Sequence, residues 1–480
     1  LLFKQGFAVD LIRPARSLLW PDLVYTIQEI LSGTPEVYLV GGMVRDAYRD
    51  FPFKDIDLAC KRDGCRIARQ LADALGGAYY PLDKERDMGR TIVRVEGEEY
   101  VIDVTPIQGE DLLADLRGRD FTVNAMAVPL ASDLSGIYDP LGGIKDWLDK
   151  TLRRCTPDSI YNDPIRALRA VRLSLSLGLT IEPETRHDIR KYGSLLLEET
   201  SPERIRDELF RMIGGKRPQA ALAALEALGL LKLVIPEVAG FSPEQWRYTL
   251  QTIDKLNTLM MVISEQRDDN IAANVEFGTF VYLLDRYRRL LRQHIQKEYP
   301  EKRQHQMLLI FAVLLRYAEP ADPASAQVAS ERAKELKLSN QEVERIHDAL
   351  LYAAIPMQLH EHAPLDAREI YRFWRKTREA GVDACLLGAV DYLTSQGTQL
   401  DSSAWTSRLQ TVGQLLNGYQ NAMTATPIIN GDDLMEAFNL SPSPLIRELL
   451  EALREAAALG EITTRDDAFR LAADLLQAKS

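Results

Sequence analysis

The sequence predicts an α/β head followed by a long, almost wholly helical remainder, and three observations carry that prediction. Short β-rich runs (VYLV, DIDLA, TIVRV, EYVIDVTPI and FTVNAMAV) crowd into residues 22–150, with a helix-like run at 66–75 between them. Beyond about residue 150 the strand signals nearly vanish. There PIRALRAVRLSLSLGL, PERIRDELFRMIGG and AALAALEALGLLKLVIP carry apolar residues at helical spacing with Gly or Pro stops. With 480 residues and 46% apolar content the chain can bury several cores, which suits roughly two to four domains.

Taken in order, residues 37–40 read as a short buried strand ending on Gly41 and Gly42, where a backbone without Cβ can approach a ligand closely. Residues 43–48 read as the first turns of a helix, whose unpaired N–H groups favour an anion such as phosphate. Next, Asp55-Ile56-Asp57-Leu58-Ala59 alternates as a half-buried strand does, which places both carboxylates on one face about 7 Å apart. A lone Gly-Gly is commonly a turn and a lone D-x-D a solvated edge. Together they suit a divalent cation such as Mg²⁺, which shares hard oxygen ligands with substrate phosphates, and so read as a metal-dependent nucleotidyl-transfer site. Asp103, in YVIDVTP, sits on a strand as either a third metal-facing acid or an ordinary edge carboxylate. Further on, residues 318–326 (AEPADPASA) read as the clearest loop, with a second break near 424–433.

A net charge of −12 argues against polyanion binding over the whole surface, yet residues 151–217 hold thirteen Lys or Arg against ten Asp or Glu. That basic segment is a candidate phosphate-binding surface, or else a set of helix faces paired internally. The four cysteines lack C-x-x-C spacing, so neither a zinc site nor a disulfide framework is indicated. No run is long and apolar enough for a membrane span, and the protein reads as soluble and cytoplasmic. The sequence leaves its oligomeric state open.

The segments GGMVRD, DID, RDFTVNAMA, DPLGG and NDPIRALRAVR, in this order, resemble the class II tRNA nucleotidyltransferase and bacterial poly(A) polymerase family. The resemblance implies a nucleotidyltransferase head of the DNA polymerase beta superfamily at 22–150. It further implies a helical neck at 151–217, a body resembling a degenerate HD region at 218–360, and a tRNA-binding tail at 361–480. By the same resemblance Gly41, Gly42 and Arg45 hold the triphosphate, and Asp55 and Asp57, with Asp103 as a possible third, bind Mg²⁺. Arg119 and Asp120 match the family's R-R-D motif, with Gly118 in place of the first arginine and Arg117 one residue earlier as its candidate substitute. Asp163 and Arg166 match its base-templating E-D-x-x-R motif, with Asn162 in place of the glutamate, and are expected side by side on one helix face. A structural salt bridge would use the same pair. Arg169, Arg172, Arg204 and Arg206 fall among the RNA-binding positions, although Arg204, Arg206 and Glu208 read mainly as ties between helices.

The activity so implied is template-independent addition or completion of the 3′ CCA end of tRNA from CTP and ATP. Alternatives are an A-adding enzyme, a poly(A) polymerase, an inert RNA-binding protein and an HD phosphohydrolase. A sizeable charged loop expected at residues 83–94 speaks against CC-only addition. In the HD-like region Arg316 and Tyr317 stand where His-Asp would be, and His347-Asp348 lacks partner histidines. The other histidines (His187, His294, His305, His360 and His362) are expected to form no ligand constellation, with 360–362 in a loop.

Overall fold

A computed structural model describes residues 10–265, 275–424, 426 and 428–478. They form two compact units: residues up to Ile205 with Ala224–Leu233, and Arg206–Ala223 with Val234 onward. The head (22–150) lies in the first, and every six-stranded pairing is found there.

That sheet runs β3-β4-β5-β2-β1-β6, from β1 (Val37–Val40), β2 (Asp55–Cys60), β3 (Ala78–Asp83), β4 (Met88–Val95), β5 (Glu98–Pro106) and β6 (Ala127–Pro129). Only β2 and β5 pair in parallel, with Asp57 opposite Asp103. Period-2 alternation divides β2 between two faces. Ile56 and Leu58 join the core under helices α1 (Asp22–Ile30), α2 (Gly42–Tyr48) and α3 (Gly64–Leu75), alongside Ile27, Val44 and Leu71. Ala59 faces the other way, toward Leu112 and Leu116 of α4 (Leu112–Gly118), and Asp55 and Asp57 share that parity. Hence the two carboxylates open onto the face that carries α4.

Three elements differ from the sequence expectation. FTVNAMAV is a strand only at β6; Thr122–Asn124 is a 3₁₀ turn, because the Thr122 hydroxyl donates to Asp146 and the Asn124 amide to Asp120. β3 was not foreseen, being an edge strand whose Pro81 needs no ladder N–H on its open side. Residues 83–94 are not a sizeable loop but the core of a hairpin. β3 ends at Asp83, residues 84–87 turn, and β4 follows. Asp83 Oδ1 accepts from the N–H groups of Glu85 and Arg86, both at 3.0 Å, which fixes the turn.

Beyond residue 150 the described strands are two-residue ladders, Thr151–Leu152 with Thr180–Ile181 and Glu298–Tyr299 with Arg303–Gln304. Helices α5 (Gly143–Leu148), α6 (Ser159–Asn162) and α7 (Arg166–Leu177) continue the first unit. In the second unit Trp374 and Trp405 are fully buried, with indole N–H groups bonded to the carbonyls of Leu415 (2.7 Å) and Glu276 (2.8 Å). The loop expected at 318–326 is shorter than its composition suggested. Asp322–Glu335 is helical, since Pro323 fits the first turn, where no intrahelical N–H is needed. The break near 424–433 lies partly outside the described residues, and Asn430 caps the helix Gly431–Phe438. Residue 360 ends the helix Ile355–His360, and its Nδ1 meets Thr411 Oγ1 at 2.8 Å. No described helix is long and apolar enough to cross a membrane.

Candidate active site

The turn after β1 sets the site. Gly41 adopts φ 83°, ψ −152° as it caps α2, a conformation that L side chains rarely reach. A Cβ built there would stand 3.2 Å from both Arg119 Nη1 and Asp57 Oδ2. The glycine thus lies between the D-x-D strand and the segment after α4. A cavity of about 420 Å³ opens at this point, lined by Gly41, Gly42, Arg45, Asp57, Arg119, Asp120, Asp163, Arg166, Arg169 and Arg204, with Asn124 and Leu173. Its wall carries five arginines and three aspartates, a cationic balance that suits a polyphosphate.

Most of these charged groups are held by a polar partner. Arg45 is 6% exposed, clamps Asp46 at 3.0 and 2.9 Å and reaches Asn124 Oδ1. Arg119 binds Asp115 Oδ2 through Nε and Nη2 at 3.1 and 3.0 Å. Asp120 is buried, which opposes its ionisation, but Arg169 at 2.9 and 2.6 Å, with Asn124 and the Phe121 N–H, holds its carboxyl below the usual range. Arg166 spends Nη2 on the Gly118 carbonyl (2.6 Å) and Nη1 on the Arg119 carbonyl (2.9 Å) and Ser159 Oγ (2.8 Å). It therefore fixes the backbone of 118–119.

Asp163 and Arg166 are not on one helix. Asp163 ends α6 in extended conformation (φ −148°, ψ 90°), because Pro164 disfavours helix at the residue before it, and α7 begins only at Arg166. Their closest ionic approach is 3.7 Å, whereas Asp163 takes a 3.1 Å bond from Arg204. Asp55, Asp103, Arg172 and Arg206 do not line the cavity. Asp55 is exposed beside it on β2, and Arg172 is half-buried on α7. Both oxygens of Asp103 are held by Arg90, at 2.7 and 2.8 Å. Arg206 belongs to the second unit, where its guanidinium is 6% exposed and bonds Glu301 and the Lys337 carbonyl at 2.7 Å each. Arg117 is exposed off the cavity wall.

Asn124, Arg90, Asp115 and Ser159 hold candidate site residues in place and are not among the residues the sequence singles out. Asn124 was within reach: it lies in RDFTVNAMA, and a polar residue in an otherwise buried run needs a partner.

Asp57 tests whether a cation fits. Burial raises its pKa to about 6, opposed by Arg119 and reinforced by the carboxylates of Asp103 and Asp55. Asp55 and Asp57 present hard carboxylate oxygens from one face of β2, which suits a divalent cation, whereas both oxygens of Asp103 are engaged by Arg90. Because the folded pKa is raised, the stabilising contribution of Asp57 is present at low pH and lost as pH rises through about 6. In the presence of chelator, Asp57→Asn is therefore expected to gain stability over the native chain as pH rises from about 4 to 8, by at most about 3 kcal/mol. Urea unfolding across that range checks it, and a gap that does not widen with pH would remove the shift.

Three family descriptions match the chain: poly A polymerase head domain at 37–153, probable RNA and SrmB-binding site of polymerase A at 178–241, and tRNA nucleotidyltransferase domain 2 at 313–473. An A-adding tRNA nucleotidyltransferase of Deinococcus radiodurans is 30% identical over 442 residues, covering 90% of this chain and 94% of that protein. The chain belongs to the tRNA nucleotidyltransferase family. It is thereby an enzyme of nucleotidyl transfer, a family that uses a divalent metal. A CC-adding tRNA nucleotidyltransferase of Geobacter sulfurreducens is 29% identical, with 90% of each chain covered. In fold, the chain resembles a CCA-adding enzyme solved with ATP, with a TM-score of 0.65 at 20% identity over 96% of this chain and 95% of that one.

In the second unit, the HD-like positions hold an ion-paired and hydrogen-bonded network. Arg316 reaches Asp391 Oδ2 at 2.5 Å, the Tyr317 hydroxyl donates to Oδ1 at 2.9 Å, and the Tyr248 ring stands 5.2 Å from that of Tyr317. A guanidinium thus neutralises the buried carboxylate. The expectation of no histidine constellation is overturned, however. His294 and His305, distant in sequence from Asp383, meet it in space. Sequence spacing could not reveal this, because the three residues come from three helices.

Proposed function

We propose that the protein adds or completes the 3′ CCA end of tRNA from CTP and ATP, in the cytoplasm, with Mg²⁺ as its metal. The observation that carries this reading is the cavity in which Asp57, the Gly41 turn and five arginines converge. In this reading residues 22–150 hold nucleotide and metal, 151–217 present the base-reading groups, and 218–360 and 361–480 bind the acceptor arm of tRNA. Asp55 and Asp57 would hold Mg²⁺, which when bound activates the primer 3′-hydroxyl and neutralises charge on the departing pyrophosphate. Gly41 and Gly42 let the phosphates approach the backbone, and Arg45 and Arg119 supply positive charge beside them. Asp120, pinned by Arg169, accepts from the ribose hydroxyls. Asp103 lies next in register to Asp57, and a metal there would have to displace Arg90.

The test is incorporation by purified protein with Mg²⁺ on tRNA transcripts ending before CCA, after C and after CC, with CTP and ATP supplied separately and together. CTP on the first two and ATP on the third is the expected result. Long A runs would make the protein a poly(A) polymerase, and no incorporation would end the reading. A second reading, addition of CC alone or A alone, is favoured by the relatives matched over 90% of this chain, each named for one part of the CCA end. The hairpin at 83–94 no longer speaks against the CC-only form.

Arg166→Ala is expected to change the ratio of CTP to ATP use about tenfold, because the 118–119 backbone that it fixes also carries Arg119 and Asp120. The charged hydrogen bonds lost with Arg166 would cost about 1–3 kcal/mol, although Ser159 Oγ still reaches the Arg119 carbonyl and Gly118 is exposed. Measuring kcat/KM for each nucleotide beside thermal unfolding separates the effects, and an unchanged ratio would leave Arg166 a backbone clamp only.

A further inference from the structure

In the second unit, His294 stands near the end of the helix Arg288–Ile295, His305 opens the helix His305–Leu315, and Asp383 lies in the first turn of Ala380–Gln396. Their side chains converge. His294 Nε2 lies 2.5 Å and His305 Nε2 2.7 Å from the same oxygen, Asp383 Oδ1, and the two rings are 4.6 Å apart at 77°. Side-chain exposure is 9% for His294, 1% for His305 and zero for Asp383. Among the described residues Asp383 Oδ2 has no hydrogen-bond partner, although it is buried. The Arg345 guanidinium is 3.9 Å from that oxygen and is committed to Glu379 at 2.7 Å. A fully buried carboxylate with one orphaned oxygen is costly unless a positive charge compensates it.

We propose that His294, His305 and Asp383 form a second metal site, separate from the head, that takes a borderline-soft transition-metal dication of the Zn²⁺ kind. This goes beyond the nucleotidyl-transfer reading and does not depend on it. Two imidazole nitrogens and a carboxylate suit Zn²⁺, Co²⁺ or Fe²⁺, whereas Mg²⁺ prefers oxygen ligands alone. Asp383 Oδ2 offers a fourth donor atom and so a closed set. With Nε2 on the metal, His305 carries its proton on Nδ1, which faces the Tyr299 hydroxyl at 3.4 Å, the outer partner that orients a metal-bound imidazole. The triad ties three helices at one point, which is the work of a structural metal. Without metal, both imidazoles would donate to one oxygen and leave the other bare.

The experiment uses the full chain carrying Asp55→Ala and Asp57→Ala, so that the head binds no cation, and Co²⁺ as the probe. Stoichiometric Co²⁺ uptake, with the intense visible absorption of nitrogen-ligated, low-coordinate cobalt, is expected, with displacement by Zn²⁺ and a rise in Tm. Adding His294→Gln or Asp383→Asn is expected to remove the band and the Tm response. No uptake by the parent chain, or a band that persists in both added variants, would overturn the site and leave a hydrogen-bond cluster. The parent chain decides the matter if an added variant fails to fold.

Discussion

Asp57→Ala is expected to abolish nucleotide incorporation, with a loss of roughly a thousandfold or more, the scale of several kcal/mol of transition-state charge stabilisation. Asp55→Ala should do the same. The physical case is stronger for Asp57, which faces the Gly41 turn and the Arg119 guanidinium across the cavity. Asp55 is exposed at the start of β2 and would act only through a shared cation. Neither change touches Arg169 or Arg204, so RNA binding should survive nearly intact. Metal-free Asp57→Ala should also be no less stable than the native chain at neutral pH, since the native carboxylate is ionised there against its raised pKa. Single-turnover incorporation, RNA binding by filter retention and unfolding on one preparation separate these outcomes. Normal turnover in either variant would remove the metal assignment, while loss of folding would show the two carboxylates to be structural.

How far the sequence revealed this site depended on whether local pattern or long-range partners decide a residue's role. Period-2 alternation was enough to put Asp55 and Asp57 on one face, because β2 is a regular interior strand with Ile56 and Leu58 fixed in the core. The turn at Gly41 and the helix after it were legible for the same local reason. Asp163 and Arg166 were misplaced because helical spacing was extended across Pro164, which breaks it. The engagement of Asp103 by Arg90 depends on antiparallel register between β4 and β5, which no single strand shows. The histidine–aspartate cluster was hidden most deeply. It needs the helical body to bring together residues 294, 305 and 383, and the helical periodicity around each of them speaks only of burial.

Gly41→Ala is the other change expected to act strongly, and it tests the turn rather than the metal. At φ 83°, ψ −152° an L side chain costs about 1–3 kcal/mol of backbone strain. The added methyl would also press at 3.2 Å on Arg119 Nη1 and Asp57 Oδ2 together. Both contacts are ends of side chains, so the chain can fold by moving them, and moving them misplaces the groups proposed to meet the phosphates and the metal. A displacement of about 1 Å at such a centre is worth roughly a hundredfold in rate. Incorporation should therefore fall by that order with a modest loss of Tm. Gly118→Ala is the matched control: its φ is not positive and a Cβ there meets nothing within 4 Å, so activity and stability should both hold. If Gly41→Ala costs only stability, equal to its strain, the turn serves the fold and not the phosphates. If Gly118→Ala fails as badly as Gly41→Ala, the segment before Arg119 is sensitive to any side chain, and the special place of Gly41 is lost.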